Sequence, residues 1–573
     1  MSASRHAGPS LLDSAVAEYY GADQSRSTDS VIFIRSGPMR LLLINPKFPE
    51  SFWSFQWAID KVFSGKRTIS PPLGLATLAA LCPESWQVEI VDENIDPVPS
   101  KPAADIVGIC GMGVQFKRQK ELLAFYKGQG YFVVAGGSYA SLCPELYAPL
   151  TDSVVAGEAE YIWKEFCRDF ESGAAKPLYR ETGEVALTDS PVPRFDLLKL
   201  AQYEVVSLQF SRGCPFRCEF CDIIVMFGRK PRTKSLEQVG RELDRLRAVG
   251  VRSVFFVDDN FIGNKPLAKD LLQFLHDYQE KYGYWFDFGT EVSLNVAQDN
   301  QLLSLFQLAN FEWVFIGIES PDEESLKETL KFQNTRQDML ASVRKLYSHG
   351  INVLAGFIIG FDHDTVATFE MQHRFIMQSG IHAAMIGLLV AIPKTPLYDR
   401  LEKEGRLAAD PDVQDNTKLG TNIIPKQMGY EEMISGFRSL YCSLLEDRNI
   451  ADRIKNKTRY FAGVPEHTTD SFGGQFGILV RLFVHGVAPG GVARIFHFVR
   501  SIPFFRPTLI PLAIGDWVVG LTMRDYVDRQ FGGKVDESDG AAARALESGA
   551  AEVSPSDFQS GPAVAGLAAS RAP

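Results

Sequence analysis

Two series of short apolar runs, separated by stretches with helical periodicity, dominate the middle of this chain. The first series has five runs, at residues 39–47, 86–94, 104–112, 131–137 and 152–158. Continuous apolar runs of this length are typical of parallel strands that are buried on both faces. Strands alternating with helices at this spacing predict a doubly wound, Rossmann-like α/β domain over residues 39–173. Its ligand site is expected at the carboxyl ends of the strands.

The second series has six runs, at residues 204–213, 253–260, 285–293, 313–320, 352–361 and 383–393. Helical stretches intervene, and one of them begins with Ser235 as a potential N-cap and ends with Gly250. Six βα units are too few for a complete (β/α)8 barrel. The pattern therefore predicts a partial (β/α)6 barrel, open on one side, over residues 204–400.

The remaining segments differ in composition from these two series. Residues 1–38 are polar and rich in small side chains, and residues 535–573 are rich in Ala, Ser and Gly, so both are predicted to be disordered. A polar, proline-containing linker is predicted at 174–203, and a mostly helical domain at 401–534.

Composition limits the class of protein. The chain has 573 residues, eight cysteines and a net charge of -11. The charge gives no sign of nucleic-acid binding, and the cysteines are too sparse for a disulfide scaffold. Because the N-terminus lacks the apolar core of a signal peptide, we expect a cytoplasmic, reduced protein in which clustered cysteines bind metal.

Three of the cysteines lie within eight residues, in "SRGCPFRCEFCD" directly after the first barrel strand. Cys214, Cys218 and Cys221 have the spacing C-x3-C-x2-C. Zinc usually takes four ligands, and no histidine lies near enough in sequence to complete such a set. Iron–sulfur cubes are normally held by four thiolates. Three thiolates in one loop would therefore leave one iron open to an external ligand.

This motif resembles the signature of the radical S-adenosylmethionine (SAM) superfamily, C-x3-C-x-Φ-C, with Phe220 as the aromatic Φ. The resemblance implies a [4Fe-4S] cluster held by the three cysteines and SAM bound to the open iron. It also implies that Phe220 packs near the adenine. Asp258, Glu291 and Glu319 follow barrel strands and are predicted SAM contacts. For the two glutamates, capping of the following helix is the alternative.

An α/β domain ahead of such a barrel resembles the cobalamin-binding domain of the B12-dependent branch. The resemblance implies that Gly111, Gly136 and Gly137 let the backbone approach the corrinoid nucleotide tail. Residues 39–200 contain no histidine, so the cobalt is expected to lack a histidine ligand. The aromatic residues Phe52, Trp53, Phe55 and Trp57 are predicted either to pack against the corrin or to form ordinary core.

Four further cysteines lie in the N-terminal domain: Cys82, Cys110, Cys143 and Cys167. Methylthiotransferases hold a second cluster through N-terminal cysteines, so a second cluster is one reading. Buried inert thiols are the other, favoured by the apolar surroundings of these residues.

The string "SRGCPFRCEFCDIIVMFGRKPRTKS" resembles the subgroup that contains hopanoid C-2 methylases. It implies methylation of an unactivated carbon in an apolar polycyclic lipid, with an electron donor such as flavodoxin or ferredoxin. The longest apolar piece near the C-terminus, "TLIPLAIGDWVVGL", is about 14 residues and too short to span a bilayer. Residues 471–530 are predicted either to make peripheral contact with the inner membrane face or to cap the barrel.

Two other functions remain open at this stage. One is an oxidoreductase or cyclase that uses the same cofactors, and the other is a non-catalytic corrinoid-binding protein.

Overall fold

The computed structural model describes residues 37–408, 418–462 and 472–531. The disorder predicted for residues 1–38 and 535–573 thus falls outside the described residues, apart from residues 37 and 38. The described chain contains two parallel sheets with helices around them and a helical region at its C-terminal end.

The N-terminal sheet is parallel throughout and contains one strand more than predicted. Its strands are β1 (Arg40–Asn45), β2 (Gln87–Asp92), β3 (Ile106–Cys110), β4 (Phe132–Gly136), β5 (Ser153–Ala156) and β6 (Leu178–Arg180). They lie in the order β2-β1-β3-β4-β5-β6. The order reverses at β1 and β3, so their carboxyl ends form the switch point at which open α/β sheets bind ligands.

Helices cover both faces of this sheet, and two separate apolar clusters fill the space between. The first helix, α1 (Gln56–Lys61), instead packs against the C-terminal helices, where Ala58 is buried. The helices on the sheet are α2 (Leu73–Ala80), α3 (Phe116–Gly128), α4 (Ser138–Leu142) and α5 (Ala159–Glu171). The central strands are buried on both faces, which is why each appeared in the sequence as an unbroken apolar run.

The segment predicted as a linker, 174–203, contributes the additional strand. β6 pairs with β5 from Val154↔Leu178 to Ala156↔Arg180. It is an edge strand of three residues, of which only Tyr179 is buried. So short a strand with one buried side chain leaves little apolar pattern in the sequence.

Eight strands follow: β7 (Val206–Leu208), β8 (Ser211–Arg212), β9 (Arg232–Thr233), β10 (Ser253–Phe256), β11 (Asp287–Glu291), β12 (Phe311–Glu319), β13 (Asn352–Ile359) and β14 (Ala384–Leu388). Six of these form a parallel sheet in the order β14-β13-β12-β11-β10-β7, with β7 and β14 at its two edges. The predicted partial barrel, open on one side, is therefore confirmed. β8 and β9 form a short antiparallel hairpin outside it.

Alternate side chains of the barrel strands face opposite ways. Phe256, Phe288 and Phe311 belong to the large apolar cluster between the sheet and its helices. The helices around the barrel are α6 (Ile223–Met226), α7 (Leu236–Ala248), α8 (Lys265–Tyr282), α9 (Asn300–Leu308), α10 (Glu323–Glu328), α11 (Phe332–Thr335), α12 (Met339–Tyr347), α13 (Val366–Ser379) and α14 (Pro396–Lys403). Ser235 caps α7 as predicted, since its side chain accepts from Gln238 N at 3.3 Å.

The C-terminal region is helical, as predicted. Its helices are α15 (Tyr430–Leu444), α16 (Asp447–Tyr460), α17 (Phe472–Leu482), α18 (Gly491–Ser501) and α19 (Ile510–Phe531). The segment "TLIPLAIGDWVVGL" lies mainly in α19, where Ala513 and Trp517 are fully buried, so it is core. Among the described residues, a different helical segment, 474–501, is long and apolar enough to cross a membrane by length and composition alone.

Candidate active site

The cysteine loop leaves the carboxyl end of β7 and is enclosed by the hairpin β8–β9. Gly213 begins the loop with φ of +94°, a left-handed conformation that favours glycine. Its N–H donates to Asp259 Oδ2 at 2.7 Å. Cys214, Cys218 and Cys221 follow as free thiols, with Cys218 buried and the other two half-buried.

Amide side chains are directed at two of the sulfurs. Asn260 Nδ2 lies 4.0 Å from Cys214 Sγ, and Gln333 Nε2 lies 3.6 Å from Cys218 Sγ. Burial raises the pKa of Cys214 and of Cys221, so neither ionises readily without a cation. Donors next to sulfur are the outer partners that metal-bound thiolates commonly have.

Asp258 fixes the backbone that leads into this loop. Its carboxylate accepts from Phe210 N at 2.7 Å, from Ser211 N at 2.9 Å and from Ser211 Oγ at 2.7 Å. The side chain is fully buried, and this burial raises its pKa to about 7. A direct contact between Asp258 and SAM stays a prediction, and the geometry favours a role in holding the loop in place.

Phe220 and Glu319 meet at one lysine. Lys331 Nζ lies 2.6 Å from Glu319 Oε1 and 5.8 Å from the centre of the Phe220 ring. Burial acts to lower the pKa of Lys331, but the neighbouring Glu319 raises it overall. Glu319 has φ of +64° at a bulge in β12. This conformation is costly for a side-chain residue and is often found at functional sites.

Glu291 ends β11 and faces the inside of the barrel. Burial, and then the charges of Asp259 and Asp258, raise its pKa to about 7. Titratable groups with a strongly raised pKa in a cavity are candidates for a functional role. Its predicted contact with SAM stays a prediction.

A cavity of about 2100 Å³ lies between the N-terminal sheet, the barrel interior and the C-terminal helices. Pockets for single small ligands are smaller, roughly 300–1,000 Å³. Its barrel wall is aromatic: Phe255 stacks on Trp313 with centroids 5.1 Å apart, and Trp53 lies 5.2 Å from Phe315. Residues 47–51 and 93–97, which follow β1 and β2, form part of the lining. Glu291 is the one predicted SAM contact in the described lining of this cavity.

The four aromatic residues predicted either to pack against the corrin or to form ordinary core differ in their surroundings. Phe52 is buried against Tyr441 and Tyr526, at 4.9 and 4.7 Å. Phe55 and Trp57 both pack against the apolar cluster of the C-terminal helices. Phe55 also lines the cavity, and Trp57 lies next to Gly486. Trp53 lines the cavity and is 46% exposed, so it is free to contact a ligand.

The predicted glycines lie at the carboxyl ends of β3 and β4. Gly137 has φ of +103°, and a Cβ there would lie 2.2 Å from Gly111 O. A Cβ on Gly111 would meet Gln119 Oε1 at 2.9 Å, whereas one on Gly136 would meet nothing closer than 3.7 Å. Packing within the domain therefore already requires glycine at 137 and leaves little room for a side chain at 111. Their contact with a corrinoid stays a prediction.

Ion pairs between the two sheets were missed by the sequence reasoning. Arg212 lies 2.8 Å from both Glu158 and Glu160, and Arg232 lies 2.8 Å from Glu158. The arginines flank the cysteine loop and the glutamates follow β5. Burial acts to raise the pKa of Glu160, but Arg212 lowers it overall. The sequence features that could have indicated these ion pairs are the acidic residues directly after β5 and the arginines in the hairpin.

The four remaining N-terminal cysteines are divided between the two faces of the sheet. Cys143 packs in one apolar cluster and Cys82, Cys110 and Cys167 in or against the other. Burial raises the pKa of Cys110 to about 11 and that of Cys143 to about 12. This arrangement agrees with buried inert thiols. Within the described residues, no three His, Cys, Asp or Glu side chains converge on a single ion.

Comparison with known proteins agrees with this fold and site. The Radical SAM superfamily profile matches residues 208–376, and a domain of unknown function, DUF4070, matches 395–529. An uncharacterized methyltransferase of Synechocystis sp. is 41% identical over 72% of this chain and 78% of its own length. The hopanoid C-2 methylase of Rhodopseudomonas palustris is 37% identical over 66% of this chain and 72% of its own.

Solved structures show the same fold. The cobalamin-dependent SAM radical enzyme OxsB with aqua-cobalamin bound has a TM-score of 0.55 at 15% identity, covering 90% of this chain and 84% of that one. The radical SAM methyltransferase TsrM of Kitasatospora setae, with cobalamin and a [4Fe-4S] cluster bound, has a TM-score of 0.52 at 16% identity, covering 85% of this chain and 100% of that one. The fold and the cysteine loop thus define a radical SAM enzyme. More particularly, the chain belongs to the family of radical SAM methyltransferases that includes hopanoid C-2 methylase.

The residues present fit the cofactors of that superfamily, a [4Fe-4S] cluster and SAM. Three unpaired thiols lie in one loop, and amide donors are directed at two of them. In a [4Fe-4S] cube each cysteine thiolate binds a different iron, so the three cysteine sulfurs do not converge on one point. A single zinc ion would need such convergence.

Proposed function

We propose that this protein is a cobalamin-dependent radical SAM methyltransferase that methylates an unactivated carbon of an apolar polycyclic lipid, with C-2 of a hopanoid as the specific candidate. The cavity carries this proposal. It is large, its barrel wall is aromatic, and it extends from Glu291 to the ends of β1 and β2. The relative named hopanoid C-2 methylase supports the specific substrate.

Each group of residues has its own part in the proposal. Cys214, Cys218 and Cys221 would hold the cluster, and Phe220, Glu291 and Glu319 would contact SAM. The backbone at Gly111, Gly136 and Gly137 would approach the corrinoid. When bound, the cluster and SAM supply a 5'-deoxyadenosyl radical, and cobalamin supplies the methyl group.

The remaining task of the chain is to position the substrate and to exclude water. Trp53, Phe255, Trp313 and Phe315 offer flat apolar faces on which a fused ring system can lie. Glu291 is the acidic group that lines this cavity near the carboxyl end of the barrel. Its raised pKa means that it can hold a proton near neutral pH and then donate a hydrogen bond.

Electron supply and membrane contact complete the proposal. A flavodoxin or ferredoxin would reduce the cluster from the exposed side of the cysteine loop, where Arg229 lies. We also propose that the enzyme works in the cytoplasm, in peripheral contact with the inner membrane face.

Anaerobic purification with iron and cobalt analysis tests the cofactors. The proposal expects about four irons and one cobalt per chain. About eight irons without cobalt would indicate a methylthiotransferase-like protein instead and would refute it.

Product analysis then tests the reaction. With SAM labelled in its methyl group, the lipid product should gain one labelled methyl, a net mass increase of one CH2. Loss of hydrogen or gain of oxygen would indicate a cyclase or oxidoreductase. A protein that binds cobalamin but never cleaves SAM would be a binding protein and not an enzyme. Deletion of the gene should remove the methylated lipid from the cell's lipid profile.

A further inference from the structure

A large apolar patch covers the outer side of the C-terminal helices. It is formed by α17, the π-helical turn Phe483–Val487, α18 and the loop that follows. Within α17 and the turn, and again within α18, its members are spaced by three or four residues, so each set lies on one helix face. The patch consists of Phe476, Val480, Phe483, Val484, Val492, Phe496, Val499, Phe504 and Phe505, which are between 40% and 102% exposed.

The opposite face of the same helices is packed on the protein. Leu482, Val487 and Phe498 are buried in one cluster with Trp517 of α19, and the rings of Phe498 and Trp517 lie 5.7 Å apart. The helical path also turns at Gly491, whose φ is +74°. Segment 474–501 is therefore a bent pair of helices with one bound and one exposed face, which suits a position along a membrane surface.

Charge around the patch favours lipid over a charged partner. Between Phe472 and Gly515 the chain has no Asp or Glu, although its net charge is -11. Arg494 and Arg500 pair with Asp447 and Asp452, at 2.9 and 2.7 Å. The exposed face is thus apolar and nearly uncharged, and insertion of side chains among lipid chains is the interaction that it offers.

The patch is continuous with the cavity. Phe476 is 59% exposed and belongs to the patch, yet it also lines the cavity, as do Leu479 and His485. One helix, α17, therefore has the patch on one side and the proposed substrate site on the other. Phe476 thus joins the exposed patch to the lining of the cavity.

We propose that the patch docks on the surface of a lipid bilayer and that the apolar substrate enters the cavity from the bilayer, beside α17. The second part rests on the proposed function, because it assumes a lipid substrate. The first part identifies the surface that makes the membrane contact proposed above, and it does not require a lipid substrate.

Vesicle flotation tests the docking. The full-length protein should float with phosphatidylcholine vesicles, with or without phosphatidylglycerol, and at high salt as well as low. The double variant Phe496→Ser/Phe505→Ser should bind at least about tenfold more weakly. The matched control Val249→Ser/Val366→Ser removes two side chains that are 63% and 59% exposed outside the patch, and it should bind like the wild type.

A tryptophan probe reports insertion directly. In a Phe496→Trp variant, brominated lipids should quench the fluorescence added by this tryptophan, whereas a Val366→Trp variant should be insensitive to them. No flotation of the wild type would overturn the proposal. Binding restricted to anionic vesicles and lost at high salt would also overturn it. A dimer in sedimentation that the double variant converts to monomer would identify a second copy as the occupant.

Three activity measurements separate docking from the proposed function. Reductive cleavage of SAM without lipid should be equal in the wild type and the double variant. Methylation of substrate in detergent should also be equal, but methylation of substrate in vesicles should fall about tenfold in the double variant. An equal rate on vesicles would overturn entry from the bilayer. Failure to cleave SAM in both proteins would instead refute the proposed function.

Discussion

The carboxyl edges of the two parallel sheets differ in how their polar groups are used. At the N-terminal edge the side chains bond one another: Asn45 Nδ2 donates to Asp92 Oδ1 at 3.0 Å, and Gln115 Nε2 donates to Asn45 Oδ1 at 3.2 Å. At the barrel edge Glu291 faces the cavity. The N-terminal edge thus holds these three buried polar side chains in hydrogen bonds with one another, whereas the barrel edge directs the carboxyl group of Glu291 at the cavity.

Removal of a thiol from the barrel edge should have the largest effect. Cys218→Ala should reduce SAM cleavage to background, because the cluster loses one of its three protein ligands. Cobalamin uptake should persist, since the N-terminal edge is unchanged. The measurements are iron content and release of 5'-deoxyadenosine.

Cys143→Ala is the matched control for that experiment. It removes a buried thiol behind the other sheet, so iron content should not change. Cleavage retained by Cys218→Ala would contradict the assignment of the cluster.

The ion pairs that join the two edges should come next. Arg212→Gln leaves Glu160 buried without its guanidinium partner, and we expect a loss of about 3–5 kcal/mol in the free energy of unfolding. Arg229→Gln in the same loop is the control, because Arg229 is exposed and should cost less than about 0.5 kcal/mol. Denaturant titration of both variants measures this, and equal stabilities would show that the pairs contribute nothing.

Two neighbouring glycines test the backbone of the N-terminal edge. Gly137→Ala should destabilise the protein by about 1–3 kcal/mol, because φ of +103° is strained for alanine and the Cβ meets Gly111 O. Gly136→Ala has room for its methyl group and should leave stability nearly unchanged. If thermal melting shows the same midpoint for both, the close approach of residues 111 and 137 does not exist in solution.

The last test concerns the ionisable group of the barrel edge. Because burial raises the pKa of Glu291 to about 7, the folded protein holds a proton that the unfolded chain releases near the ordinary glutamate pKa of 4.5. The free energy of unfolding should therefore fall as pH rises from about 4.5 to 7 and then level off. Glu291→Gln, without cofactors, should show a weaker decrease over this window. Denaturant titrations at pH 5 and pH 8 give the free energy of unfolding of both proteins. If it falls by the same amount between these pH values in the wild type and in Glu291→Gln, the raised pKa is contradicted.

The sequence predicted the elements whose pattern is local. All five predicted strands of the N-terminal sheet and all six of the barrel are present, since buried parallel strands give unbroken apolar runs. The cysteine triplet was recognisable for the same reason, because its spacing lies within eight residues.

Features that depend on distant partners were not predictable. Arg212 and Glu158 are 54 residues apart, and the sequence around each of them does not indicate the other as its partner. The role of Asp258 was interpreted from its place after a strand, but its carboxylate accepts from backbone 47 and 48 residues earlier. The apolar piece in α19 is largely buried, whereas segment 474–501 leaves one face exposed, because burial of a helix is decided by its neighbours and not by its composition.

The paired arginines have a consequence for ligand exchange. They flank the cysteine loop and pair with Glu158 directly after β5, so a hinge motion that separated the two sheets at this point would also move the cysteines. We therefore expect a bulky substrate to enter and leave without separation of these two elements, and the distance between the cysteine loop and β5 to stay constant during turnover.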